Sequence, residues 1–305
     1  LDSDTYAPSE SDGQGGKALD RRAQDDFTPF DKAKSFYFAQ QKLKGKRDQR
    51  AGIDYFPTPE PIGLKMVEFA DIKIGDSVLE PSAGHGSISR FFPETADRTL
   101  VERERELSTK AELTSPGARV INDTFENLHI SNKYDAIVMN PPYGLGGKQA
   151  MEHLAKAAIH LRNGGRIVAL IPVGPSANKR FDAFYESDAA KDLHSVASIN
   201  MPSITFKRAG TSVMTRIVVM EKQTIKADAQ QLQQSNRPYG ERGLTGGETI
   251  NELFDSIENV QFKSRLEPSV PEPKQPAQAQ DADATTPAAV TSSDTFEIFD
   301  TKHTK

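Results

Sequence analysis

The stretch Asp135-Ala136-Ile137-Val138-Met139-Asn140-Pro141-Pro142-Tyr143 runs an apolar strand straight into a double-proline turn that ends on an aromatic ring. Prolines lack an N–H and fix φ, so the turn leaves carbonyls as acceptors at the strand's C-terminal end, where open α/β sheets bind their ligands. Outward from this point, residues 55–222 alternate short β-rich runs with amphipathic helical ones, the signature of a parallel sheet covered by helices.

The pattern places strands near Ser77–Glu80, Thr99–Glu102, Arg119–Asn122, Ala136–Met139 and Arg166–Ile171. Two later strands, near Ser195–Met201 and Met214–Glu221, are joined by too few residues for a crossover helix and are expected to pair antiparallel. Between the fourth and fifth strands, Met151, Leu154, Ala158 and Leu161 recur at helical spacing, and Gly164 and Gly165 read as the helix stop. The expected fold is α/β: a seven-stranded, mostly parallel Rossmann-like sheet with an antiparallel terminal hairpin.

The Asn-Pro-Pro-Tyr turn suits one kind of chemistry. An exocyclic amino group is a poor nucleophile because its lone pair is delocalised into a ring. If Asn140 Oδ1 and the Pro141 carbonyl each accept one amino N–H, the nitrogen moves toward tetrahedral geometry, and orientation with preorganised acceptors replaces a strong base. Tyr143 would stack on the flat substrate group, a contact of about 1–3 kcal/mol per base in single-strand binders. As a bare dipeptide, Asn-Pro is an ordinary strand-ending turn; the full string after an apolar strand favours the site.

A second turn, Val78-Leu79-Glu80-Pro81-Ser82-Ala83-Gly84-His85-Gly86, follows the first strand. It lacks the third glycine of a dinucleotide loop and the Lys-Ser/Thr pair of a P-loop. Glu80 would repel a phosphate but suits a cation, and S-adenosylmethionine carries an ammonium and a sulfonium. Glu102, ending the next strand, stands where an acid binds ribose hydroxyls in nucleotide-binding sheets, and Asp123, ending the third, could accept an adenine amino group. Each reads equally well as a surface acid.

The rest of the 305 residues bounds these ideas. Hydrophobic residues make up 36% of the chain, and the shortfall sits at the ends, so one domain is expected in the middle. There is no cysteine, which excludes thiolate metal sites and cysteine nucleophiles; the six histidines show no zinc-helix spacing, so no metal is expected. No apolar run approaches a membrane span, and a cytoplasmic protein is expected, in a host cytoplasm if phage-encoded. The start at Leu1 and the polar residues after it predict a processed chain or a piece of a longer one.

Residues 1–28 read as a disordered leader. Residues 29–54 are basic and aromatic: Lys32, Lys34, Lys42, Lys44, Lys46, Arg47 and Arg50 against Asp31 and Asp48, with Phe36, Tyr37 and Phe38 among them. Such a segment could grip phosphates and stack on bases, or be a solvated helix whose aromatics dock on the core. Residues 223–266 form a loop-rich extension with a last helix near Thr249–Ile257, and 267–305 a disordered, acidic Pro/Ala-rich tail.

The order of motifs resembles the amino-methylating DNA methyltransferases of the gamma arrangement, typified by N6-adenine enzymes, over residues 55–222. Phe56-Pro57-Thr58-Pro59 is similar to the family's entry element, Glu80–Gly86 to its cofactor turn, Asn140–Tyr143 to its catalytic motif, and Phe206-Lys-Arg-Ala-Gly210-Thr211-Ser-Val213 to its late aromatic loop. The resemblance implies S-adenosylmethionine as cofactor, held by Phe56, Thr58, Glu80, Ser82, Ala83, Gly84, Gly86, Glu102, Asp123 and Phe125. It implies catalysis by Asn140, Pro141, Pro142 and Tyr143, with the flipped base between Tyr143 and Phe206. His85 departs from the small residue or Thr usual there.

No target-recognition domain is evident, which predicts low sequence specificity, or a recognition partner or module on a longer chain. The ragged start and polar flanks are also similar to the methyltransferase segments of large phage anti-restriction polyproteins. The expected substrate is adenine N6 in DNA. The alternatives are RNA adenine, protein glutamine, whose enzymes share the Asn-Pro-Pro-Tyr turn, and an inactive binding module. Phe206 and the basic 32–50 segment speak against glutamine.

Overall fold

The computed structural model describes residues 27–43, 56–129, 134–209, 211–223, 242–243 and 249–265. The expectations for residues 1–26, most of the basic run after Leu43, and the 267–305 tail lie outside the described residues. Seven strands form the body of one sheet: β1 (Ser77–Glu80), β2 (Asp97–Val101), β3 (Arg119–Ile121), β4 (Tyr134–Met139), β5 (Leu161–Pro172), β6 (Leu193–Met201) and β7 (Thr215–Lys222). The order is β3-β2-β1-β4-β5-β7-β6, and a two-residue β8 (Arg242–Gly243) adds to β6. Only β7 runs against the rest, pairing antiparallel with both β5 and β6. The seven expected strands and the antiparallel terminal pair are therefore present.

This order fixes where a ligand can sit. The chain winds outward from β1 through β2 to β3, then returns to place β4 on the other side of β1. At such a reversal the connections leave in opposite directions and open a crevice at the strands' C-terminal ends. The two ends that flank it carry Glu80 and, just beyond Met139, Asn140.

Strand alternation divides the core. Val78, Leu100, Val138, Val168, Ile199 and Ile217 point to one face, beneath α1 (Pro29–Leu43), α2 (Glu60–Ala70) and α6 (Ile250–Glu258). Leu79, Val101, Ile137, Met139, Ile167 and Val218 point to the other, where Met151, Leu154 and Ala158 of α4 (Lys148–His160) and Phe184 of α5 (Pro175–Tyr185) cover them. Between β2 and β3 lies α3 (Arg105–Thr114).

One expectation is corrected. Gly164 and Gly165 do not stop the helix: α4 ends at His160 and β5 begins at Leu161. The glycines instead sit in an irregularity where Tyr134 pairs with Leu161 but Ala136 already pairs with Arg166. A Cβ on Gly165 would come within 2.9 Å of the Asp135 carbonyl, so the strands can close up there only without a side chain.

In α1, the spacing of Phe30, Ala33 and Tyr37 puts all three on one buried face, with Tyr37 only 2% exposed and its ring edge-on to Phe254 at 5.1 Å. Of the two readings of this segment, Tyr37 fits the one in which the aromatics dock on the core, and Lys34 pairs with Asp255 at 2.6 Å. The expected last helix is present, and the described residues 249–265 of the extension pack on the core. Leu253, Phe254 and Ile257 of α6 join the core, while Arg265 bonds to Asp76 and to the Asp135 carbonyl, both at 2.6 Å. The fully buried Arg166 ties Glu221 to the Phe69 and Lys263 carbonyls. No helix among the described residues is long and apolar enough to cross a membrane.

Candidate functional site

A cavity of about 310 Å³ opens at the reversal between β1 and β4. Phe56, Thr58, Glu80, Ser82, Ala83, Gly84, Glu102, Asp123, Phe125, Asn140, Pro141, Pro142 and Tyr143 all line it. Residues up to 87 apart in sequence meet there because each stands in a turn at the same edge of one sheet. Gly86 lies outside the lining. Its φ of +82° is left-handed, and a Cβ would stand 2.1 Å from Thr114 Oγ1, so this glycine serves the close approach of the turn to α3. His85 is also outside the lining, with its carbonyl accepting from Thr114 Oγ1 at 2.8 Å.

Phe206 is not brought to the cavity. It sits in a 3₁₀ segment, Ser203–Ala209, is 1% exposed, and belongs to the core on the α1–α2–α6 face. The expected sandwich with Tyr143 is therefore absent: a ring with no polar atom gains more from full burial than from standing in water as a platform. The ring that faces Tyr143 is Phe56, with centroids 6.5 Å apart and planes inclined by 24°.

The carboxylates of the β1 side are occupied by backbone. Glu102 accepts from Gly84 N at 2.7 Å with one oxygen and from Glu104 N at 2.8 Å with the other. Glu80 accepts from Ser89 N at 2.9 Å. Burial pushes the Glu80 carboxyl up to about 8, opposed by its Ser89 hydrogen bonds and assisted by the neighbouring Glu102. At neutral pH it is thus mostly protonated, and not the fixed negative charge that the sequence suggested. Asp123 is exposed, and hydrogen bonds from Asn127 and from Thr124 N hold its carboxyl below the usual range.

The Asn140 side chain has a single possible orientation. Its amide nitrogen donates to the Phe56 carbonyl at 2.9 Å and to Thr58 Oγ1 at 3.1 Å. A carbonyl can only accept, so the group facing Phe56 must be the NH₂, and both its hydrogens are engaged. Oδ1 is left as an acceptor on the cavity wall, without a partner among the described residues. The Tyr143 hydroxyl is likewise buried with no partner, and burial raises its pKa beyond the ordinary phenol value.

Sequence reasoning missed a polar cluster at the cavity's far side. His153 Nε2 lies 2.9 Å from Glu126 Oε1, and its Nδ1 is 3.5 Å from Ser82 Oγ. Burial raises the Glu126 carboxyl, but hydrogen bonds from His153 and Gln149 overcome that and hold it near about 2. The available signal was a polar residue on the apolar stripe of α4: His153 shares a face with Ala150 and Ala157. Glu126 had no such signal.

The chemistry of this lining fits a cationic, nucleoside-bearing molecule: the carboxyl groups of Glu102, Glu104, Asp123 and Glu126 beside the mostly protonated Glu80, the rings of Phe56, Phe125 and Tyr143, and a glycine turn at Gly84 with φ +57° that brings backbone to the cavity. Its volume falls at the small end of ligand cavities, about 300–1,000 Å³.

No protein-family model matches the chain. A tRNA (guanine(10)-N2)-dimethyltransferase from Methanothermobacter thermautotrophicus is 31% identical over 123 residues, covering 35% of this chain. The chain spans 36% of that relative's length. Among solved structures, a protein from Listeria monocytogenes assigned to the class I S-adenosylmethionine-dependent methyltransferases aligns with a TM-score of 0.51 at 16% identity, over 77% of this chain and 80% of that one. The modification subunit of an assembly assigned as a type I restriction enzyme from Vibrio vulnificus YJ016 aligns with a TM-score of 0.47 at 16% identity, over 64% and 50%. The fold is that of the class I methyltransferases.

Proposed function

We propose that the protein is an S-adenosylmethionine-dependent methyltransferase that acts on an exocyclic amino nitrogen of a nucleic-acid base, with adenine N6 in DNA as the favoured target. The observation that carries this is Asn140: with both amide hydrogens engaged by Phe56 and Thr58, its oxygen faces the cavity as an acceptor beside the Pro141 carbonyl.

Bound in the crevice, S-adenosylmethionine supplies an electrophilic methyl group on sulfur. Phe56, Ser82, Ala83, Gly84, Glu80, Glu102, Asp123 and Phe125 are the residues that would hold it. Glu102 orients the glycine turn through Gly84 N, and Phe125 offers its buried ring to a base. Asn140 Oδ1 and the Pro141 carbonyl accept the two amino hydrogens, which turns the nitrogen lone pair away from the ring and toward the methyl group. Tyr143 stacks on the base, and its orphan hydroxyl is available to a polar edge of the substrate.

An amino group in RNA is a second reading, favoured by the relative named for guanine N2 of tRNA. Guanine N2 and adenine N6 are both conjugated amines and need the same pair of acceptors. Burial of Phe206 also removes one of the two features, the other being the basic 32–50 segment, that had set a nucleic-acid substrate apart from glutamine. The deciding experiment follows label from S-adenosylmethionine into unmethylated DNA, RNA and protein lysate, with nucleoside and peptide mass spectrometry. N6-methyladenine in DNA is the expected product. Label only in glutamine sinks the nucleic-acid reading, and absence of cofactor binding at high micromolar concentration sinks the enzyme.

A further inference from the structure

The turn that follows Tyr143 exposes a large apolar side chain where none is needed for folding. Leu145 is 92% exposed, the most exposed of the large hydrophobic residues among those described. It lies two residues beyond Tyr143, hence within roughly 8 Å of it along the Cα trace. Ile74, by contrast, stands before β1 at the opposite edge of the sheet, and Leu113 and Ile159 lie on outer helix faces.

The turn is built to hold Leu145 in place. Gly144, Gly146 and Gly147 have φ values of 63°, 59° and 79°, all in the left-handed region that favours glycine. Their backbones are packed: a Cβ on Gly146 would stand 3.1 Å from Ser176 Cβ, and one on Gly147 would stand 3.1 Å from Ala177 Cβ and 3.2 Å from Pro172 Cγ. Glycines usually loosen a loop, but these seat it against the start of α5 and leave one side chain projecting.

A cation lies beside that projection. Arg180 Nε is 3.9 Å from the same Cβ position on Gly146, the neighbouring Lys179 is exposed, and the side chain of Lys148, three residues beyond Leu145, is 66% exposed and pairs with Glu152 at 3.7 Å. An apolar tip with Arg180 beside its turn, near acceptors for a base amino group, matches a duplex from which one base has been drawn. The tip replaces the lost stacking, and the cations meet the flanking phosphates.

We propose that Leu145 is the wedge that enters the base stack when the target nucleotide leaves it, making duplex DNA the substrate this face recognises. The inference rests on the nucleic-acid reading above, and single-stranded DNA separates the two because no wedge is needed where no stack must be opened.

The test compares wild type, Leu145→Ala and Leu145→Met on native and heat-denatured unmethylated DNA. It adds 2-aminopurine fluorescence at a mapped target position as a readout independent of turnover. For Leu145→Ala, the ratio of duplex to single-strand rates should fall about tenfold or more, as expected when about 1.4 kcal/mol or more of stacking replacement is lost. The 2-aminopurine rise on binding duplex should shrink in parallel, and Leu145→Met should restore both. An unchanged ratio and fluorescence overturns the wedge while leaving the methyltransferase intact, as does an equal loss on both DNA forms. A wild type that methylates neither form overturns the parent reading, and the wedge with it.

Discussion

Two turns close neighbouring strands at the centre of the sheet, and they treat their polar atoms in opposite ways. Around the turn after β1, the carboxylates are tied to backbone: Glu80 accepts from Ser89 N, and Glu102, just beyond the end of β2, accepts from Gly84 N and Glu104 N. In the turn after β4, Asn140 uses its donors on Phe56 and Thr58 but keeps Oδ1, and Tyr143 keeps a buried hydroxyl with no partner among the described residues. A buried polar atom left unpaired costs free energy, so the Tyr143 hydroxyl marks a place where a ligand would complete the bonding, while the more accessible Asn140 Oδ1 stands open as an acceptor beside it. The first turn is a scaffold; the second is poised.

The largest effect that would break this contrast is on turnover. Asn140→Ala removes the acceptor but no scaffold bond to the β1 turn, so the methyl-transfer rate should drop about 10²–10³-fold while the dissociation constant of S-adenosylmethionine, followed by calorimetry, stays within about twofold. A matching loss of cofactor affinity would show that the two turns are not separable.

Next in size, Gly86→Ala attacks the scaffold. The new Cβ would clash with Thr114 Oγ1 at 2.1 Å and sit at positive φ, so unfolding should become easier by about 2–4 kcal/mol. Turnover per folded molecule should change far less. A chemical-denaturation midpoint equal to wild type would contradict the packing described.

A smaller change sharpens the role of Thr58. Thr58→Val keeps the shape but leaves one Asn140 hydrogen without an acceptor, a loss of about 1 kcal/mol that should slow transfer roughly fivefold to tenfold. Thr58→Ser should recover most of it. If serine and valine behave alike, the hydroxyl is not what orients Asn140.

The last effect is one of pH dependence and belongs to Glu80. Its folded pKa of about 8 lies above the ordinary 4.5, so between those pH values the folded protein holds a proton that the unfolded chain has released. Stability should therefore fall as pH rises through this window, by up to about 1.4 kcal/mol per pH unit from this one group. Denaturation of Glu80→Gln at pH 5 and pH 8 should show that slope reduced, because the amide oxygen still accepts from Ser89 N without titrating. An identical slope in the variant would mean that another group sets it.

Much of the frame was legible because local patterns dictate it. Ser77–Glu80 was placed to the residue, since an apolar run ending at Glu-Pro leaves no room to extend. The double proline after Met139 fixed the end of β4 in the same way. Late aromatics were harder to place. Phe206 and Tyr37 were candidates for stacking on a base, but a ring's destination depends on which helices cover the sheet, and α6, some 50 residues beyond Phe206, helps build the core that takes it.

The sequence by itself determined the alternation of strands and helices, the two turns at strand ends, and the residue types that face an amino group and a cationic cofactor. These are set by hydrophobic period, proline and glycine, which act within a few residues. Only the tertiary structure decided which way Asn140 points, that Glu80 is protonated, that His153 and Glu126 meet, and that Leu145 stands out in water beside the cavity. Each of those depends on groups distant in sequence but adjacent in space, where burial and hydrogen-bond partners are assigned by packing and not by neighbours along the chain.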